Sequence, residues 1–241
     1  MTNNILKKLI RSLAILAAAA PFASYATAYT PAKFGNAQET LGKQITLPAS
    51  FGENLKTVSV YCQADVMTTG SINEVICYEH GAIVSMQKVT ESALKSATFE
   101  PATIDGKAIP VRMQLRVVYS LGGTQAPIML LPNLGTLQAK HGPEYYAPQE
   151  RLDTGNWYAH YATKDGGDGK IFFAEGKTTR VMANVEADGK VETVSTIEAA
   201  LRKQSDAGNI ESALKKSRFI PGFVENKPTA MHYIAVVNYQ K

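Results

Sequence analysis

Few residues of this chain have a type and spacing that could do chemistry. The four histidines, His80, His141, His160 and His232, are scattered, and none falls at the spacing of a metal-ligand pair. Asp165 to Lys170 reads Asp-Gly-Gly-Asp-Gly-Lys. Two close carboxylates suggest a calcium loop, but the alternating ligands and the terminal Glu are missing, so a solvated turn is expected. No Gly-x-Ser-x-Gly, phosphate loop or His-Glu-x-x-His motif occurs, which leaves hydrolase, nucleotide and zinc-protease chemistry without a constellation. Tyr145, Tyr146, Trp157, Tyr158 and Tyr161 could form an aromatic binding surface or pack between domains. Cys62 and Cys77 are the only cysteines. Without histidines at metal spacing they make a poor zinc site and a better disulfide. The expectation is a non-enzymatic protein with no cofactor, no catalytic residues and no metal.

A hairpin would bring the cysteines together. Val58, Val60, Cys62, Ala64 and Val66 alternate with Ser59, Tyr61, Gln63 and Asp65, the period of a half-buried strand. Thr69-Gly70 makes a turn, and Ile72 to Tyr78 reads as the returning strand. With Thr69 and Gly70 at the centre of the turn, Cys62 and Cys77 face each other across the pair, close enough for a bridge. The alternative is two separate buried thiols.

The hairpin belongs to a unit that occurs twice. Glu91-Ser-Ala-Leu-Lys95 leads through Phe99 and Pro101 to Lys107, Val117 and Tyr119. Glu211-Ser-Ala-Leu-Lys215 leads through Phe219 and Pro221 to Lys227, Val237 and Tyr239, each pair 120 residues apart. The pattern predicts a helix over about Thr90–Thr98 and another over Ile210–Arg218, each stopped by its proline. Glu91 and Glu211 fit the first turn of these helices, where the dipole favours a carboxylate, and Phe99 and Phe219 read as core anchors. A strand closes each copy: Val111, Met113, Leu115 and Val117 alternate with Arg112, Gln114 and Arg116, and Tyr233, Ala235, Val237 and Tyr239 alternate likewise. Asp188-Gly189 marks the second hairpin; Ile197 to Gln204 fits either a strand extension or a short helix.

The N-terminus adds an address. Lys7, Lys8 and Arg11 precede an apolar run, Leu13 to Ala23, too short to span a bilayer comfortably. Ala26 and Ala28 fit a signal-peptidase site, giving a mature chain from Tyr29, or from Thr27 if cleavage follows Ala26. The formal net charge of +4 falls to about +1 without those three cations, so no basic patch argues for nucleic acid. The expected organisation is a signal peptide over 1–28, an N-terminal arm over 29–55, a first domain over 56–121, an interdomain segment over 122–177 and a second domain over 178–241.

Ser92-Ala-Leu-Lys95, Phe99-Glu-Pro-Ala102 and Asp105-Gly-Lys107 together resemble the C-terminal domain of TonB-type energy transducers. In the second copy, Val185 to Val191 resembles that family's first hairpin, with Gly222 in place of Ala102 and Glu225-Asn226 in place of Asp105-Gly106. Pro143-Glu-Tyr145 resembles the family's opening Pro-x-Tyr-Pro, with Tyr146 replacing the second proline. The resemblance implies an α+β fold of two such domains, each a small antiparallel three-stranded sheet packed by helices. It also implies a protein or peptide partner in the cell envelope, taken up by strand addition at the closing strands. The residues concerned are Arg112, Gln114, Arg116 and Val118 in the first copy, and His232, Ile234, Val236 and Asn238 in the second. The family's retained membrane anchor and proline-rich spacer have no counterpart here, so a periplasmic protein without a stable anchor after cleavage is expected. A structural or assembly factor whose domains bind each other, or a small-ligand binder or enzyme using residues 122–177, are the other readings.

Overall fold

The computed structural model describes residues 27–51, 55–78, 84–123, 127–135, 137–142, 144–155, 179–199 and 204–237. Residues 1–26, His80, Trp157, Tyr158, His160, Tyr161, Asp165 to Lys170 and Asn238 lie outside them.

The fold is α+β with antiparallel sheets. An arm, β1 (Tyr29–Thr30) and α1 (Ala37–Gln44), leads to the hairpin β2 (Thr57–Val66) and β3 (Ile72–Tyr78). Helix α2 (Val84–Ser96), the small hairpin β4 (Ala102–Ile104) and β5 (Lys107–Ile109), and β6 (Val111–Ser120) complete the first copy. Then come β7 (Ile128–Leu131), the short α3 (Gln138–His141) and β8 (Gln149–Arg151). The second copy runs through β9 (Thr179–Val185), β10 (Val191–Ala199), α4 (Gln204–Lys216) and β11 (Phe219–Ile220). It ends with β12 (Gly222–Val224), β13 (Lys227–Thr229) and β14 (Met231–Val237).

The duplication persists in the smallest details. Each hairpin turns on a glycine, Gly70 at φ +80° and Gly189 at φ +77°. Each of these glycines accepts, through its carbonyl, the N–H of the phenylalanine that follows the helix: Phe99 at 2.8 Å and Phe219 at 3.0 Å. A Cβ on either glycine would lie 1.9 or 2.1 Å from that phenylalanine's carbonyl oxygen, so both the backbone angle and the close approach exclude a side chain. Each Phe-x-Pro segment is also covered by a preceding arm. Lys33 bridges Glu100 and Thr30 pairs with Thr103, while Gln149 pairs with Ile220 and Tyr146 bridges Phe223.

Both helices begin earlier than the periodicity predicts, at Val84 and Gln204. In α2 the extra turns place Met86 and Thr90 in line with Leu94, all buried on the sheet, and packing of such a stripe outweighs weak local propensity. Glu91 and Glu211 are therefore mid-helix rather than in the first turn. Each carboxylate reaches the returning strand: Glu91 accepts the Cys77 N–H at 2.8 Å, and Glu211 accepts the Thr196 N–H at 3.0 Å and its hydroxyl at 2.8 Å.

Cys62 and Cys77 are paired residues of β2 and β3 and form a disulfide with both cysteines fully buried. Closing a loop of this length contributes about 3 kcal/mol in the chain-entropy description. The matching cross-strand pair of the second copy is Val181 and Thr196.

The first sheet is a middle layer. Val60, Cys62, Ala64 and Val66 of β2 and Val111, Met113, Leu115, Val117 and Tyr119 of β6 form its apolar face, each fully buried in a core shared with α1 and α2. The Tyr119 hydroxyl meets Thr90 there, and burial pushes its phenol up to about 12. A second core, of Val181, Ala183, Val185, Ile210, Leu214, Phe219, Tyr233 and Ala235, fills the second copy.

Candidate functional site

The polar face of the first sheet is buried too. Gln63, Asp65, Arg112 and Gln114 are at most 2% exposed. Their alternation with apolar residues reads in sequence as a solvated face, yet they meet the second copy. Arg112 holds Asp65 through two hydrogen bonds, Nε to Oδ1 at 2.8 Å and Nη2 to Oδ2 at 2.9 Å. Its Nη1 lies 3.7 Å from Glu150 Oε2 on β8. Glu150 in turn accepts the Ser217 hydroxyl at 2.8 Å and the Tyr233 hydroxyl at 3.4 Å, both from the second copy. Desolvated charges are tolerated only when paired this completely.

Strand β8 is the joint. It pairs with β6 through Arg112↔Glu150 and Val111↔Arg151, and with β11 through Gln149↔Ile220 and Glu150↔Phe219. The Gln149 side chain also clamps the arm, accepting the Ala32 N–H at 2.7 Å and donating to the Ala32 carbonyl at 3.0 Å. Just beyond it, Arg151 and Asp153 form a bidentate pair that holds the Asp153 carboxyl below its usual value.

This arrangement corrects one expectation. Strand β6 is no edge: β2 runs along one side, and β8 and β7 cover the other, with Arg116 opposite Leu131 and Val118 opposite Met129. The main-chain groups of Arg112, Arg116 and Val118 face strands already in place. Segment 128–151 supplies those strands, and its short apolar and polar pieces carry no period that announces them. The Arg112 side chain, expected at a surface, is fully buried.

Strand β14 is an edge. The second sheet has the order β10-β9-β14, and among the described residues no strand pairs with the outer side of β14. Part of that side is closed by side chains. Gln114 donates to the Ile234 carbonyl, and Gln63 donates to the Val236 carbonyl at 3.1 Å. Main-chain groups of alternate residues point the same way, so those of His232 also face outward.

Beside His232 lies a groove of about 510 Å³ between the second sheet and the 133–147 segment. Its walls include Gln114, Asn133, Asn184, Glu186, Glu192, Met231, His232 and Ile234. Three residues singled out from sequence, Gln114, His232 and Ile234, thus converge on one site. Val236 is buried and bonded to Gln63, and Asn238 lies outside the described residues. Asn133, Glu186 and Glu192 were not legible as site residues, since nothing in their local sequence distinguishes them from turn and surface positions. His141 stacks on Tyr145 with ring centroids 5.0 Å apart. Among the described residues no group of His, Cys, Asp and Glu is arranged to hold a metal ion, and no helix is long and apolar enough to cross a membrane. No family model, curated protein or solved structure matches the chain.

Proposed function

We propose that this is an exported, non-enzymatic protein of the cell envelope, built from two domains resembling the C-terminal domain of TonB-type energy transducers. It binds an extended segment of a partner protein by antiparallel addition to the outer edge of β14 at Met231–His232. The observation that carries this reading is internal to the molecule. Val111 and Arg112 occupy in the first copy the places of Met231 and His232, and there the chain's own β8 lies across the outer edge. The same edge in the second copy borders the groove. In strand addition the main chain supplies affinity, and alternate side-chain pockets supply selectivity.

His232→Pro tests it. The His232 N–H points away from β9, so proline at this place removes no bond of the existing ladder, and Met231 before it is already extended. The folded variant, checked by circular dichroism, should capture at least ten-fold less partner from crosslinked envelopes than the parent. Equal capture by folded parent and variant would reject strand addition. That result would favour an assembly factor whose two copies bind each other, a reading supported by the closure of Ile234 and Val236 by Gln114 and Gln63.

A further inference from the structure

The groove beside β14 is rich in acceptors and poor in cations. Glu186 and Glu192 line it, and among the described residues no lysine or arginine does. Lys190 and Lys215, on the adjoining turn and helix, are engaged: Lys190 with Asp188 at 2.5 Å, and Lys215 with the Glu192 carbonyl.

Two neutral side chains add to this bias. Asn133 is only 3% exposed, and both of its amide bonds are donated, to Gln138 and to the Tyr145 carbonyl. Its Oδ1 is buried without a hydrogen-bond partner, beside Gly135 on the groove wall, where a Cβ would come within 3.9 Å of it. Asn184 repeats the arrangement from the opposite wall, donating to Thr193 at 2.8 Å while its Oδ1 has no partner. A buried acceptor left unpaired keeps its desolvation penalty, so each is a place where an incoming N–H is favoured. The two carboxylates extend the same preference to a positive charge, whose attraction grows where water is partly excluded.

We infer that the segment bound beside β14 is basic, with a lysine or arginine side chain entering the groove to meet Glu186, Glu192 and the Oδ1 atoms of Asn133 and Asn184. The inference rests on the strand-addition reading above and adds the chemical class of the partner. The strand supplies backbone pairing at Met231–His232. The adjacent outward-facing side chain of that strand then lies over Asn184 and Glu186, since residues of a strand alternate between faces. An acidic segment would place carboxylates against carboxylates and two bare oxygens.

Three fluorescein-labelled nine-residue peptides, alternating valine with lysine, serine or glutamate, separate the possibilities by anisotropy with the intact chain. The lysine peptide should bind at least ten-fold more tightly than the serine peptide, and the glutamate peptide more weakly than either. Glu186→Gln with Glu192→Gln should erase the lysine preference, and Asn184→Asp should strengthen it several-fold. Serine or glutamate peptides binding as tightly as the lysine peptide would overturn the basic class while leaving strand addition standing. A lysine preference that survives the double variant would also overturn it, placing the attraction elsewhere on the surface. A lysine peptide N-methylated at the backbone amides of its lysines, the residues whose N–H groups would face His232, that binds undiminished would overturn strand addition instead. No binding by any of the three would overturn both.

Discussion

Arg112→Met should destabilise the protein by about 3–5 kcal/mol, the range for removing one member of a buried ionic group. Arg112 is fully buried and holds Asp65 in two short hydrogen bonds, with Glu150 3.7 Å from its other nitrogen. Methionine keeps much of the length and removes the charge, so two carboxylates remain in a site with almost no water. The cost lies in those stranded charges more than in the lost bonds. Adding Asp65→Asn and Glu150→Gln to Arg112→Met should therefore recover most of the loss. Urea midpoints of the parent, single and triple variants measure both effects. A single variant within about 1 kcal/mol of the parent would mean that the carboxylates find water or other partners, and the packed joint described here would be wrong.

Phe219→Ala should cost about 3–5 kcal/mol, as for other fully buried aromatic side chains. Phe219 is 1% exposed, its ring meets Tyr233 edge-on with centroids 4.9 Å apart, and its backbone closes the Gly189 turn. It also lies opposite Glu150 in the β11–β8 pair. Phe99 occupies the same place in the first copy, edge-on to Phe34 at 6.2 Å, so Phe99→Ala should fall in the same range. Thermal unfolding followed at both copies would check the pair. A small effect at Phe219 with a large one at Phe99 would show that the second copy draws its stability from β8 rather than from its own core.

Local pattern revealed what local contacts determine. The duplication, the hairpin facing Cys62 with Cys77, and the alternation of β2 and β6 follow from spacing alone, because each depends on neighbours in the chain or across a tight turn. The start of α4 was not legible because Gly208 and Asn209 are poor helix formers that interrupt the pattern. The larger gap concerned the polar face. Gln63, Asp65, Arg112 and Gln114 alternate as surface residues do, and sequence cannot distinguish a face satisfied by water from one satisfied by buried partners. Those partners come from far along the chain: Glu150 from β8, and the carbonyls of Ile234 and Val236 from β14. Gln149-Glu150-Arg151 is a wholly polar triplet, and no periodicity marks it as the strand that joins the two copies. The covering of β6 by β7 and β8 was not legible either.

Site-resolved amide exchange tests the central claim most directly. In the intact chain, Arg112 lies between two strands, while the His232 N–H faces the groove side of an edge. The account predicts slow exchange at Arg112 and fast exchange at His232. Saturation with the lysine–valine peptide should slow His232 at least ten-fold and leave Arg112 unchanged. A peptide that binds to saturation while the exchange rate at His232 stays the same would contradict it.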